Sequence, residues 1–524
     1  MRSSGVSKGG YATVARMNGR RLALVALALL ALAAPVGAAP AGQMTWAVHF
    51  TIAPAWFDPA DSPGVITQML PAYLLHDALV KPMPGNAMAP GLAESWSASR
   101  DGLAYEFALR KDVKFHNGDI MTAEDVKFSF ERYRGSASKL LRDKVAAVEI
   151  IDPYRIRFRL KGPWQDFLAF YATPATGAAW VVPKRYVEKV GDEGFKKAPV
   201  GAGPYRFVSM NPGVEMVVDA HESYWRKAPS VKRLVLRIVP DDSTRLAMLK
   251  RGEVDIAYSL RGPLAEEVRR TTGLKLVATA SAGTFWMDFT AEPWDPKSPW
   301  HDQRVRQAAN VAIDRDAINK AETLGFSKVS ASIVPSRFDF AWPAPPIPYD
   351  PQRARKLLAE AGYPNGFDAG DYTCDVSFTD LCEGVTNYLK AVGIRTRLRP
   401  LERAAYFMAR REKKIKNLMH GVNGAFGNAA TRIERDMVSN GDVFGAHPDI
   451  DDLFARQARE LDRTKRETLL HQIQKIASER VMFVPIWEFA NLHGVGARVA
   501  EPGLGLIDYM PFSAPYEEVR LHKP

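Results

Sequence analysis

The stretch that decides the fold is Val200–Tyr258, VGAGPYRFVSMNPGVEMVVDAHESYWRKAPSVKRLVLRIVPDDSTRLAMLKRGEVDIAY. It opens on Gly201-Ala202-Gly203-Pro204-Tyr205, a turn whose glycines tolerate positive φ and whose proline fixes the exit. Tyr205 and Phe207 then alternate with Arg206, and after Asn211-Pro212-Gly213 the run Val214, Met216, Val218 alternates again, which predicts a hairpin. Leu234–Val239 predicts a further strand. Asp242 or Ser243 is positioned to cap a helix carrying Leu246, Met248 and Leu249, which Gly252 ends. Val254–Tyr258 returns as a strand. Strand, helix, strand predicts a parallel pair with a right-handed crossover.

This order resembles the extracytoplasmic solute-binding proteins of ABC importers, family 5, a group that binds peptides, opines, nickel chelates and sugars. The resemblance rests on Gly201–Tyr205, then Ser223-Tyr224-Trp225, Pro229, Val231, Arg237-Ile238, Asp241, Arg245, Gly252-Glu253 and Asp255 in register. A second matching stretch is Leu92–Arg132, with Glu94-Ser95-Trp96, an Asp101-Gly102 turn, Lys114–Asp119 as a loop and Thr122 capping a helix. The resemblance makes His116 and Asp119 a structural turn, not a catalytic pair. Asp302–Ala308 and Ile313-Asp314-Arg315 match a helix pair of the family, and Val484–Trp487 its return strand. It implies an α/β, bilobal, type II-like periplasmic-binding-protein fold of the large cluster with an extra subdomain. The first lobe would be discontinuous, from residues 39–74, 201–284 and 487–524. Residues 75–200 would be the extra subdomain and 285–486 the second lobe.

The 524 residues suffice for two or three domains. The amino terminus reads as an address. Arg20-Arg21 precedes the apolar run Leu22–Ala34, and small residues follow at Val36–Ala41. That order predicts a secretory signal over 1–38, cut after Ala38 or Ala41, with Met1 or Met17 as the start. The run is shorter than the roughly 20 residues a membrane-spanning helix needs. No cysteine follows it for a lipid anchor. The chain's net charge is +11, and the five arginines and lysines before residue 42 carry five of those charges. The remainder is too mild to argue for nucleic acid. Cys374 and Cys382 are the only cysteines. In an oxidising compartment they could form a disulfide, with two buried thiols as the alternative. They are too few for a metal site.

Enzyme signatures fail in turn: no Gly-x-Ser-x-Gly, no His-Glu-x-x-His, no phosphate loop and no dinucleotide glycine run. No catalytic residue, metal or cofactor is expected. A binding cleft needs aromatics and a few placed polar groups. The residues that fit are Thr51 and Trp56 on the first loop, Trp286 and Asp288 on a crossing strand, Phe426, Asn428 and Arg432 on a glycine-rich loop, and Trp487 near the hinge. In peptide binders of the family, a loop at the Met419–Arg432 position supplies an aspartate for the ligand's ammonium. This chain has none there, which disfavours ordinary peptides and suits a neutral or anionic solute: an opine, a modified amino acid or a sugar. The expected function is a monomeric periplasmic receptor serving an ABC permease and ATPase. A secreted hydrolase using the same cleft and a non-transporting chaperone stay open.

Overall fold

The computed structural model describes residues 39–62, 69–174, 176–290, 295–423, 427–439, 441 and 443–523. The signal segment 1–38 and Phe426 lie outside the described residues.

The first strand, β1 (Ala41–Val48), is buried on both faces from Met44 onward. Simple alternation gives way there to the continuous burial of a central parallel strand. β2 (Ala93–Ala98), β3 (Ala104–Leu109), β4 (Val145–Asp152) and β5 (Arg155–Leu160) form a separate antiparallel sheet in the order β2-β3-β5-β4. Arg155, Arg157 and Arg159 lie on its open face, paired with Glu106 and Glu149. Helix α1 (Ala123–Glu131) starts at a capping box of Thr122 and Asp125. A short helix, α2 (Phe167–Tyr171), pushes Phe167 and Tyr171 into the core.

The main sheet follows. β6 (Tyr205–Asn211) and β7 (Glu215–Ala220) are the expected hairpin, extended by β8 (Val231–Ile238). Helix α3 (Asp242–Lys250) leads to β9 (Ile256–Ala257), then come α4 (Gly262–Arg270) and the long β10 (Lys275–Phe289). Helix α5 (Pro351–Glu360), β11 (Phe367–Asp375), α6 (Thr379–Ala391) and β12 (Ile394–Leu401) are next. They are followed by α7 (Arg403–Arg411), β13 (Leu418–Asn423), α8 (Ala429–Asp436), α9 (Arg463–Glu479) and β14 (Phe483–Val495). One sheet runs β6-β7-β8-β1-β9-β14-β10-β13-β11-β12, with Lys328–Val329 added beside β14.

Two local expectations need correction. β8 and β9 are parallel but not neighbours, because β1 sits between them and pairs with both. The cap of α3 is Asp241, whose carboxylate accepts from Thr244 N–H at 2.7 Å. Asp241 alone precedes the first helical turn with extended backbone, as an N-cap requires.

The apolar cores separate the two halves. Two clusters draw on residues 44–268 and 492–519. Three draw on residues 282–487. The chain passes between these groups twice, in β10 and in β14. The ladder joining those strands slips between Ala280 and Thr284, so that Ser281–Gly283 bulges at the crossing. Cys374 and Cys382, which could have been bonded, are buried free thiols. The two thiols are neighbours inside the second half's core.

The glycines of the opening turn serve a different purpose from the one expected. Neither Gly201 nor Gly203 has positive φ. A Cβ on Gly201 would stand 2.0 Å from the Leu75 carbonyl oxygen, and one on Gly203 2.5 Å from the Leu75 carbonyl carbon. The turn is pressed backbone to backbone against Leu75-His76. His116 clips it there: Gly201 N–H donates to Nδ1 at 3.2 Å and Nε2 faces the Gly203 carbonyl at 3.0 Å. The neutral ring is therefore protonated at Nε2.

Replacing Gly203 by alanine should cost about 1–3 kcal/mol of stability by overpacking. Gly162→Ala, which meets nothing within 4 Å, should leave the urea midpoint unchanged. Equal midpoints for the two variants would refute the close-approach reading.

Candidate functional site

In open α/β sheets, ligands bind outside the carboxyl ends of parallel strands. Both halves bring such ends together here. In the first half, β1, β8 and β9 run parallel and end at Val48, Ile238 and Ala257. In the second, β11, β12 and β13 run parallel and end at Asp375, Leu401 and Asn423. The loops beyond them form opposing walls. Arg261, at the head of α4, reaches Asp380 on α6 at 3.3 Å. Arg403, at the head of α7, lies close enough to His49 to act on it electrostatically.

Buried arginine chemistry shapes the first wall. Arg245 on α3 donates to the carbonyls of Val239, Pro240, Tyr258 and Ser259 at 2.7–2.8 Å. One guanidinium thus ties the ends of β8 and β9 to each other, and the loop carbonyls gain partners that burial would otherwise deny them. Desolvation lowers its pKa to about 10, so it stays cationic at neutral pH.

Aromatic rings line both walls. Phe50 meets Phe512 at 5.3 Å and Trp56 at 6.4 Å, and Phe512 meets Tyr258 at 5.3 Å. Opposite them, Phe378 lies 5.6 Å from Phe489 and 5.2 Å from His420. Polar groups are few. Arg403 is partly exposed, and one of its nitrogens donates to the buried Asp375 carboxylate at 2.8 Å. His49 Nδ1, Ser259 Oγ and Asn491 Nδ2 are buried and have no hydrogen-bond partner among the described residues. Burial, then the positive charge of Arg245, holds the His49 pKa down to about 3.

The expected site residues divide. Thr51 is exposed and Trp56 half-buried on the first wall, in and beside the short helix Pro54–Phe57. Trp286 and Trp487 are fully buried in separate cores of the second half. Trp286 lies flat on Gly421, where a Cβ would fall 1.9 Å from the indole. Asp288 is buried beneath it, with desolvation raising its pKa to about 6 against the pull of Arg410. Arg432 is also fully buried. It donates to Thr284 Oγ1 at 2.8 Å, Ala282 O at 3.0 Å and Ile333 O at 3.2 Å, and faces Asp436. It braces α8 against the crossing strand. Asn428 caps α8 by accepting from Thr431 N–H at 3.0 Å, and its amide nitrogen donates to Asp166. Reading the sequence passed over Arg403, Arg261, His49, Phe378, Phe489 and Phe512. A signal existed for Arg403, because a helix opening on a basic residue just past a predicted strand end is an unusual start.

Residues 87–441 match the bacterial extracellular solute-binding proteins, family 5. The chain belongs to this family. Among curated relatives, the glutathione-binding protein GsiB of Escherichia coli (strain K12) is 29% identical over 417 residues, which span 75% of this chain and 79% of that protein. Two solved structures share the fold. DppA from Helicobacter pylori, in complex with peptide STSA, aligns with a TM-score of 0.77 at 24% identity, over 92% of this chain and 98% of that one. MoaA from A. tumefaciens R10, in complex with mannopinic acid, gives 0.78 at 23% identity, over 93% and 100%. Membership in family 5 supports a substrate-binding role, not a hydrolase or a chaperone. No helix of the described residues is long and apolar enough to cross a membrane.

Five buried histidines give this family 5 protein a pH dependence with a definite sign. His49, His116, His420 and His493 are lowered to about 3 and His76 to about 4, all first by desolvation. Their native rings are neutral, whereas unfolded rings take protons near 6.5. Their stabilisation is complete above that value and is lost as pH falls toward 4, by up to about 1.4 kcal/mol per pH unit for each ring. Asp288 (about 6), Glu434 (raised by burial to about 7), Asp125, Asp255, Glu322 and Glu517 act in the opposite sense, whereas the ion-paired Asp61, Asp192, Asp219 and Asp449, held below the usual carboxylate range, act with the histidines. The melting temperature should fall steadily from pH 7 to pH 4.5. A flat or rising profile over that interval would contradict neutral buried rings.

Proposed function

We propose that this protein is a periplasmic receptor that captures a small, carboxylate-bearing, peptide-like solute and delivers it unaltered to an ABC permease and its ATPase. The observation that carries the reading is the polar set of the crevice. Arg403 is held at the end of β11 by Asp375, with guanidinium surface still exposed. It faces the wall that holds three unpartnered polar atoms, on His49, Ser259 and Asn491. Buried polar groups in folded proteins are nearly always hydrogen-bonded. A solute carrying a carboxylate for Arg403 and hydrogen-bonding groups for those three atoms would satisfy all of them. Its apolar parts would lie between Phe50 and Phe512 on one side and Phe378 and Phe489 on the other.

The relatives agree in chemistry. One binds glutathione, and the two fold neighbours were solved with a tetrapeptide and an opine acid. The residues first assigned to the ligand divide under this reading. Thr51 and Trp56 remain at the rim as contacts, and Phe426, outside the described residues, stays a candidate contact on sequence grounds alone. Trp286, Asp288, Asn428, Arg432 and Trp487 support the wall from behind. Function follows from differential affinity: a solute touching both walls stabilises the closed form over the open one. The signal over 1–38 would export the chain, and the receptor would act as a monomer.

Mass spectrometry of small molecules released from the purified protein should yield a carboxylate-bearing solute. Glutathione, Met-Leu and mannopinic acid are the first probes for thermal shift. Arg403→Ala should weaken whichever of them binds by roughly tenfold to a hundredfold, the worth of a charge-assisted hydrogen bond. Unchanged affinity in that variant would remove Arg403 from the site.

A further inference from the structure

The extra subdomain and the second half meet at one buried ionic point. Asp166 is the N-cap residue of α2, yet its carboxylate makes no capping bond to its own helix. Instead it crosses to the other half. One oxygen accepts from Asn428 Nδ2 at 2.6 Å, and the other accepts from the Arg466 guanidinium on α9. Asp166 and Arg466 are each only 6% exposed. Arg466 is held from behind by Gln457 Oε1 at 2.9 Å and lies over the Phe340 ring. Backbones close in beside the pair: a Cβ on Gly427 would stand 3.0 Å from the Ala169 carbonyl oxygen and 3.3 Å from the Ala169 Cβ. Other polar links between the halves among the described residues, Arg261 to Asp380, Arg337 to Asp508 and Arg337 N–H to Tyr509 Oη at 3.1 Å, are largely exposed. Exposed pairs contribute little, whereas losing one member of a buried pair strands the other charge without water.

We propose that Asp166 is a positioning residue for solute capture: with Asn428 and Arg466 it forms a clamp that exists only when the extra subdomain closes on the second half. The argument rests on the solute-binding reading, because only a receptor that opens and closes would make and break this contact. Removing Asp166 leaves Arg466 buried and unpaired in the closed form, and solvated in the open form. The penalty therefore falls on closure alone. The clamp also holds Asn428 at the head of α8.

The test has a ligand-independent arm. Ala169→Cys with Gly427→Cys places two thiols that meet only on closure, and the rate of their crosslinking under mild oxidation reports how often the protein closes. Adding Asp166→Asn to that pair should slow crosslinking at least about tenfold. An unchanged rate would overturn the clamp, as would immediate and complete crosslinking in both forms, which would mean that the surfaces never part. In the second arm, glutathione and Met-Leu are titrated into wild type, Asp166→Asn and Arg466→Met. Each single variant should bind more weakly by a similar factor, and the double variant should bind better than the sum of the two losses allows. A fall in melting temperature with unchanged binding would reduce Asp166 to a structural role. If neither probe binds wild type, the proposed solute class fails while the crosslinking arm still judges the clamp.

Discussion

Two strands carry the whole covalent connection between the halves, and no apolar core spans it. β10 and β14 cross side by side, and the slip at Ser281–Gly283 interrupts their ladder at the crossing. On one side the buried apolar residues draw on 44–268 and 492–519, on the other on 282–487. Hydrophobic burial is the largest favourable term in folding. Here most of it is spent within each half, with Tyr509 and Leu324 the apolar side chains that pack across. What joins the facing surfaces is mostly polar: Asp166 with Asn428 and Arg466, Arg261 with Asp380, and Arg337 with Asp508 and Tyr509, beside one ring contact of Phe338 with Tyr509. Polar contacts exchange readily for water, so their net contribution is small. A few kcal/mol from a bound solute is then enough to choose between open and closed.

Rigidity within each half comes from buried arginines used as staples. Arg245, Arg306 and Arg315 each donate to several backbone carbonyls at strand or helix ends. Arg306 ties Trp300 and His301 to Arg480 and Val481, and Arg315 ties Asn310 to Pro485. A planar guanidinium with five donors can bind several loop carbonyls at once, which a lysine cannot. The loops that follow β8 and β9 therefore have fixed backbones although they lie outside the sheet.

The fold was legible where it depends on local chemistry. The hairpin at Tyr205–Ala220, the capping box at Thr122 and the Asp350 cap of α5 all follow from neighbours within a few residues. Insertion of β1 between β8 and β9 was not legible, because periodicity names strands without saying which of them pair. Nor was the task of Gly201 and Gly203. A glycine excused by positive φ and a glycine required by an approaching backbone look alike in a sequence, and only the position of Leu75 tells them apart.

The site was less legible for a related reason. Arg432 and Arg403 are the same residue type near strand ends of the same half, yet one is wholly buried and the other partly exposed. Arg432 looked suited to a ligand because it follows a glycine-rich loop, but on α8 it points inward onto Thr284, Ala282 and Ile333. Arg403 opens an amphipathic helix with an unusual basic start, but its pairing with Asp375 spans 28 residues and is invisible to local reading. The difference lies in which face of each helix packs on the sheet, and that is settled by the whole half. A fully buried cation turned onto Thr284, Ala282 and Ile333 lies out of a solute's reach. A cation held by one carboxylate at a strand end keeps donors to spare, and on the reading proposed above it would determine which end of a solute is anchored.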